Sequence, residues 1–354
     1  MQYVNRRAFL YGFGLAEILG SKAFGRPATS LDQETTELAW ILAGLTPLGR
    51  DGDALNRTTG YWRAVESWFL PVSSHAVLQK LGADFSLPRL IGNAANYQFT
   101  SVGRLRRIAA SRPMWDDAQG DLFTNYLPDI EDFVRKSRAR TFLARQASAL
   151  KALREPMYNV YDMHDIQDWL ERHFAERPAT MQVYVSPITY GWNFTNLDAV
   201  TPRLWVPAYK SPTNALKRFQ LVRSVFTEVN HNYVNPATKR LSGASYDFVN
   251  AENGWATADA WANYASAELV LNEYMTWAIF IPYAKGRLSE ADFGQIDQDT
   301  RDMMSRRGFP RFSAFADALL QLYKDQPGNL ESAYPALLAA LKGAATKDRT
   351  KDNR

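Results

Sequence analysis

The chain contains no cysteine and only four histidines among its 354 residues. The lack of cysteine excludes disulfides, thiolate metal sites and cysteine nucleophiles. Any metal site with imidazole ligands must therefore draw on His75, His164, His173 or His231.

Long apolar runs and a strong excess of charge are also missing. No segment approaches the roughly 18 uninterrupted apolar residues that a membrane-spanning helix needs, so we expect no transmembrane span. The net charge of +4 is too small to indicate a nucleic-acid partner. Arginine is concentrated in two stretches, GRLRRIAASR and FVRKSRAR, which either bind anions or form solvated helix faces.

The N-terminal stretch NRRAFLYGFGLAEILGSKAFG places Arg6 and Arg7 before a short, moderately apolar run. This pattern resembles a twin-arginine signal, which the twin-arginine export machinery reads in order to move a folded protein across the bacterial inner membrane. The other explanation is an ordinary amphipathic first helix. We predict an export signal over residues 1–29 and a periplasmic or secreted protein.

Beyond the signal, the spacing of apolar residues predicts two regions and a tail. Residues 30–160 show mainly helical spacing. Residues 161–344 also contain MQVYVSPITYGWNF and RLWVPAY, which are rich in the β-branched and aromatic residues typical of strands. The polar residues 345–354 indicate a disordered tail. The predicted fold class is α+β, predominantly α-helical.

Two predicted helices of the second region carry the candidate site. The first begins near Pro212, and we expect it to end at Asn235–Pro236 because proline cannot continue the helical hydrogen-bond ladder. The second is predicted to run from about Thr257 to Phe280 as one long helix.

The stretch FTEVNHNYVNP on the first of these helices has the spacing of the zinc-peptidase motif His-Glu-x-x-His, with Thr227 in place of the first histidine. Thr227 and His231 are four residues apart and therefore share one helix face. In the intact motif, two histidines so placed bind zinc, and the glutamate at the position of Glu228 acts as general base on the metal-bound water. A solvated helix face is the other explanation for an isolated Glu-x-x-His.

A zinc site of this kind needs a carboxylate from a later helix, and Glu273 is the candidate. It follows Asn272, and its helical neighbours form a largely small or apolar face. A carboxylate on such a face is costly to bury unless it is paired, hydrogen-bonded or bound to metal. Glu268 is the competitor, but it lies on a different face of the same helix.

Together these stretches resemble an uncharacterised family of bacterial secreted proteins that is classed with the gluzincin-type zinc metallopeptidases. The resemblance is carried by TEVNHNYVNP and by the Asn-Glu pair in NEYMTWAIF, and more diffusely by ELAWILAGL, SPITYGWNF and RRGFPRFSAF. It implies a zincin-like C-terminal half over residues 161–344 and zinc as cofactor. It also implies Glu228 as general base, with His231 and Glu273 as metal ligands. Thr227 departs from the family's pattern, because a threonine hydroxyl is a poor zinc ligand beside imidazole.

The resemblance leaves several functions open. The first is a zinc-dependent hydrolase that acts on a peptide or protein, with a residue such as Tyr233 or Tyr246 stabilising the oxyanion. The second is an inactive relative that keeps the cleft and binds peptide or glycan in the periplasm. The third is a scaffold without a ligand site, which would follow if Glu228, His231 and Glu273 lay far apart.

Overall fold

The structure is a computed structural model. It describes residues 34–51, 55–83, 86–108, 121–176, 178, 181–189, 193–196, 202–209, 212–325 and 328–352. The export signal predicted for residues 1–29 lies outside these ranges.

The chain divides into two compact units, each built from two separate stretches of sequence. They are Met1–Asn159 with Ala179–Ser211, and Val160–Pro178 with Pro212–Arg354.

The first unit combines helices with two small sheets. Its helices are α1 Glu34–Leu45, α2 Pro47–Asp51, α3 Gly60–Phe69, α4 Ala76–Ala83, α5 Leu87–Ala94, α6 Leu122–Asn125, α7 Leu127–Ser137 and α8 Ala139–Tyr161. Its strands are β1 Tyr97–Phe99, β2 Leu105–Arg107, β3 Gln182–Ser186, β4 Phe194–Asn196 and β5 Arg203–Pro207. Strands β1 and β2 form an antiparallel hairpin, whereas β5 pairs in parallel with β3 and antiparallel with β4.

Helix α1 lies in the core of this unit, and nearly every one of its residues is buried. A helix that is apolar on all sides is expected to be surrounded by other elements. The three-stranded sheet contributes an aromatic stack to the same core, in which the Trp205 ring lies 5.3 Å from that of Tyr184 and 4.7 Å from that of Phe194. The strands predicted from β-branched and aromatic residues are therefore present, and they are buried against helices.

The three-stranded sheet belongs to the first unit, whereas the sequence pattern groups it with residues 161–344. Ser186 Oγ on β3 donates a hydrogen bond to Glu37 Oε1 at 3.3 Å. Arg154 on α8 donates from Nε to the Val185 carbonyl at 2.8 Å, and its Nη2 forms an ion pair with Glu37 at 2.8 Å. These partners lie 31 to 149 residues apart in sequence, so no local pattern could reveal their pairing.

Among the residues described, the second unit contains helices and connecting turns but no strand. Its helices are α9 Met163–His173, α10 Ala215–Lys239, α11 Ala258–Tyr264, α12 Ala267–Lys285, α13 Glu290–Arg306, α14 Phe312–Asp325 and α15 Leu330–Asp352. Helix α12 is its centre: every residue from Leu269 to Ala284 is buried, and α10, α13 and α14 pack around it.

Three helix boundaries differ from those expected. Helix α10 continues through Pro236 to Lys239, so the expectation that proline ends it is wrong. The helix predicted from Thr257 to Phe280 is two helices, because Ala265 adopts a left-handed conformation and Ser266 caps the start of α12. Helix α15 extends to Asp352 and so includes most of the segment 345–354, for which the sequence predicts a disordered tail.

The fold class is α+β and predominantly helical, as predicted. None of the helices described is both long and apolar enough to cross a membrane.

We expect the buried Glu37–Arg154 pair to respond asymmetrically to mutation. Burial raises the pKa of Glu37, although Arg154 opposes the shift. Arg154→Met leaves a buried carboxylate without its countercharge and should cost about 3–5 kcal/mol of unfolding free energy. Glu37→Gln should cost less, because it removes the charge whose burial is unfavourable and leaves an arginine that is partly exposed.

Urea unfolding of both variants tests this expectation. A group with a raised pKa in the folded state loses its stabilising contribution as the pH rises through that pKa. The difference in unfolding free energy by which Glu37→Gln exceeds Arg154→Met should therefore be larger at about pH 8 than at about pH 4. A Glu37→Gln cost equal to or above that of Arg154→Met would contradict the interpretation.

Candidate functional site

Helices α10 and α12 lie side by side and carry all four predicted site residues. Asn214 caps the start of α10, and its side chain accepts a hydrogen bond from the Lys217 amide at 2.9 Å. Its apolar stripe is buried, as the helical spacing predicts. The face toward α12 is partly polar, and Asn230 Nδ2 donates to the Thr276 carbonyl across the interface at 3.1 Å.

His231 and Glu273 meet at this interface, although 42 positions separate them in sequence. His231 Nε2 lies 3.5 Å from Glu273 Oε1, and both side chains are about nine-tenths buried. On the other side of the ring, His231 Nδ1 lies 3.2 Å from Asn235 Oδ1 and 3.4 Å from Thr276 Oγ1. Asn235 can reach the ring because α10 continues one full turn beyond His231. The two ligands predicted from sequence are thus brought together.

The second oxygen of Glu273 is already occupied by protein groups. Oε2 accepts hydrogen bonds from Arg307 Nη2 at 2.8 Å and from Trp277 Nε1 at 3.2 Å. The Glu273 and Arg307 side chains are 8% and 9% exposed, so the ion pair is almost completely desolvated. Burial by itself lowers the pKa of Arg307, but the adjacent Tyr264 and Glu273 raise it by more, and the net pKa is above its usual value. Arg307 therefore keeps its positive charge inside the protein, 2.8 Å from the Glu273 carboxylate.

Arg307 is held in place from several directions. It caps the end of α13, and its guanidinium lies 4.7 Å over the Trp277 ring. Its Nη2 also donates to the Tyr264 hydroxyl at 2.8 Å. The next residue, Gly308, has φ +90°, and a Cβ there would come within 2.4 Å of Thr257 Oγ1. Only glycine fits this turn, which ends α13 and directs the chain back toward α12.

Thr227 does not take part in the His231–Glu273 contact through its hydroxyl. Thr227 is buried, and its Oγ1 donates to the Ser224 carbonyl of its own helix at 3.0 Å. Glu228 follows on the same turn and is half-buried. At the position that holds a histidine in the intact motif, the threonine hydroxyl is therefore hydrogen-bonded to the backbone of its own helix.

The other sequence candidates lie in different surroundings. The Glu268 carboxylate interacts electrostatically with Lys239 and Tyr246. Burial lowers the pKa of Lys239, and the Glu268 charge opposes this fall. Burial raises the pKa of Tyr246, and the Glu268 charge adds to this rise. Tyr233 is completely buried, with its ring 5.9 Å from that of Phe174. The role of either tyrosine in stabilising an oxyanion stays a prediction.

The described side chains around His231 supply fewer ligands than a catalytic zinc ion uses. Catalytic zinc sites use three protein ligands, usually histidine or carboxylate. Among the residues described, no three His, Cys, Asp or Glu side chains converge in a way that could hold a metal. A guanidinium 2.8 Å from Glu273 also repels a second cation at the same carboxylate.

The remaining histidines have other partners or lie at the surface. His75 pairs with Asp132 at 3.0 Å, and His173 lies 2.6 Å from the Trp169 carbonyl and 3.1 Å from the Tyr323 hydroxyl. His164 is exposed. None of these contacts supplies a replacement for the missing ligand.

Arg307 is the residue that sequence reasoning missed. Arg307 belongs to the segment RRGFPRFSAF, which contributes to the resemblance only diffusely. The available signal was indirect: a glutamate on the apolar face of a helix requires a cationic partner, and arginine is the residue best suited to a buried carboxylate. Which arginine supplies it depends on the packing of α13 against α12.

Comparison with known proteins found nothing similar. No family model matches the chain, and no curated protein or solved structure matches it significantly. The likeness to gluzincin-type peptidases therefore rests on the motif and its neighbours alone and remains a prediction.

We expect the Glu273–Arg307 pair to be strongly coupled in stability. Arg307→Met should cost about 3–5 kcal/mol of unfolding free energy, because it leaves a buried carboxylate without its cation. The double variant Glu273→Gln/Arg307→Met should be more stable than the sum of the two single effects predicts. Urea unfolding of the wild type and the three variants measures this coupling.

The matched control is Arg306→Met, the same change at the exposed neighbouring position. It should alter stability by less than about 0.5 kcal/mol. Strictly additive effects of Glu273→Gln and Arg307→Met would show that the pair is not a coupled unit.

Proposed function

We propose that this chain is a peptidase-like binding protein in which a buried ion pair has replaced the metal centre, so that it holds a peptide without hydrolysing it. The observation that carries the proposal is the state of Glu273. Its carboxylate is expected to bind zinc, but it is paired with Arg307 at 2.8 Å and hydrogen-bonded to Trp277.

The ion pair supplies the electrostatic part of what a metal would provide. A buried carboxylate needs a cation, and the guanidinium offers a fixed positive charge with well-directed donors. It has no vacant coordination position, however, and cannot polarise a substrate carbonyl or activate water as a metal ion does. The replacement therefore keeps the fold and removes the catalytic chemistry.

The residues of the former motif are consistent with this loss. The Thr227 hydroxyl is bonded to the Ser224 carbonyl, and His231 is positioned by Asn235 and Thr276. Glu228 would be a general base without the metal on which such a base depends. We therefore expect Glu228 to be dispensable for the function.

The ligand class follows from the resemblance and not from a bound molecule. Zinc peptidases act on peptide bonds, so peptide is the proposed ligand. Glycan is the alternative, and an export signal would place either interaction in the periplasm.

A weakly active zinc hydrolase is the second candidate. The contact between His231 Nε2 and Glu273 Oε1 at 3.5 Å favours it, because these are the two ligands that the motif retains. For this candidate, Arg307 would have to move away from Glu273 before a metal could bind.

Zinc content distinguishes the two candidates. We expect untagged wild-type protein to contain far less than one zinc per chain by elemental mass spectrometry, and to remain so after incubation with zinc and dialysis. Thr227→His/Arg307→Met should gain zinc, because it restores the third ligand and removes the competing cation. Thr227→His/Arg307→Met/His231→Ala is the control that should lose it again.

Near-stoichiometric zinc in the wild type, lost in both His231→Ala and Glu273→Ala, would overturn the proposal in favour of the hydrolase. Thr227→His alone provides a variant that keeps the buried ion pair in case the double variant does not fold.

Peptide binding is tested separately with Glu228→Gln. Fluorescence anisotropy with labelled, unfolded casein fragments should give saturable binding that is the same within about twofold for wild type and Glu228→Gln. Neither protein should cleave the fragments. A loss of cleavage specific to Glu228→Gln would reveal catalysis, whereas the absence of any saturable binding would contradict the binding function.

A further inference from the structure

A groove in the first unit combines an apolar wall with a basic rim. Its volume is about 560 Å³, and it lies between α3 with the turn that follows it, the end of α7 and the first half of α8. The apolar wall includes Trp68, Val72 and Phe142, and the rim includes Lys136, Arg138 and Arg145. A cavity of this volume is in the range that holds small organic ligands.

The apolar wall is held rigidly. Trp68 Nε1 donates to the Ser137 carbonyl at 2.8 Å, and the Trp68 ring lies 5.6 Å from that of Phe142. Leu70, next in the chain to the groove residue Pro71, is 69% exposed. The groove therefore presents a preformed apolar surface to solvent.

The rim carries positive charge that the described residues neutralise only at Lys136. Lys136 forms an ion pair with Asp132 at 2.7 Å. Arg145 lies 5.1 Å over the Trp68 ring, and among the residues described no carboxylate forms an ion pair with Arg138 or Arg145. Lys136 and Arg138 belong to FVRKSRAR, one of the two arginine-rich stretches noted in the sequence.

Interaction with the helix dipoles accounts for the position of only some of these cations. A cation near the C-terminus of α7, such as Lys136, interacts favourably with the helix dipole. Arg145 lies in the second turn of α8, outside the last turn of a helix in which this interaction stabilises a cation. Its position over Trp68 at the groove is therefore not accounted for by helix stability.

We propose that this groove binds an amphiphilic anion, a carboxylate joined to an aliphatic or aromatic body. The carboxylate meets Arg138 and Arg145, since guanidinium groups match carboxylates in charge and geometry. The apolar body covers Trp68 and Val72, which are partly exposed in the groove. This inference uses the first unit alone and does not depend on the proposed loss of the metal centre.

The test uses the full-length protein and dodecanoate below its micelle-forming concentration, measured by isothermal titration calorimetry. We expect saturable binding with one site per chain. Dodecanol, which has the same chain without the charge, and acetate, which has the charge without the chain, should each bind at least tenfold more weakly. Binding should also weaken as salt is added, because the rim is exposed.

Two groove variants and two controls complete the test. Ser67→Glu, at an exposed groove residue, and Arg138→Ala/Arg145→Ala should each weaken dodecanoate binding at least tenfold. Ala147→Glu adds the same charge at an exposed position on the opposite face of α8, and Arg106→Ala removes an exposed arginine from β2. Both controls should bind within twofold of the wild type.

Equal binding of dodecanol and dodecanoate would overturn the proposal, since the basic rim would then play no part. No saturation by dodecanoate, or an unchanged affinity in Ser67→Glu, would overturn it as well. Circular dichroism on each variant separates loss of binding from loss of fold, and Ser67→Glu keeps the test decisive if the double variant unfolds.

Discussion

A single buried carboxylate joins three helices of the second unit. Glu273 lies on α12, which is buried along almost its whole length, and a charge at that depth is unfavourable unless it is matched. Arg307 at the end of α13 provides the opposite charge, and His231 on α10 approaches the other oxygen. Asn235, one turn after His231 on α10, contacts the other side of the imidazole ring, and the turn at Gly308 follows directly after Arg307.

A metal centre and an arginine ion pair are two solutions to the same electrostatic requirement. Both place positive charge beside a desolvated carboxylate, so either keeps the helices together. They differ in chemistry, because a metal ion has open coordination positions for water and substrate, whereas a guanidinium has only hydrogen-bond donors. Under the proposed function, the helices would keep their packing after loss of a metal centre. In this interpretation, Thr227 is tolerated because its hydroxyl bonds to the Ser224 carbonyl.

The arginines at the groove of the first unit differ from these buried cations because they are exposed to solvent. In the interior, a buried carboxylate is paired with a cation, as Glu37 is with Arg154. At the groove, Arg138 and Arg145 are exposed beside an apolar wall. An exposed cation has little need of a protein partner, because water solvates it. Its position beside an apolar surface is what makes an anionic, partly apolar ligand the best match.

The sequence by itself determined the helical character of the chain, the presence of the strands, and the face shared by Thr227 and His231. These are consequences of periodicity over a few residues, which local sequence contains. It also indicated that Glu273 needs a partner, because its neighbours on the helix are apolar or small. Only the tertiary structure decided that this partner is Arg307, 34 residues away. It also decided that Ser186, on the three-stranded sheet, donates a hydrogen bond to Glu37, 149 residues away. Ion pairs and hydrogen bonds of this kind depend on which elements pack together, and that choice reflects the burial of the whole core rather than any short pattern.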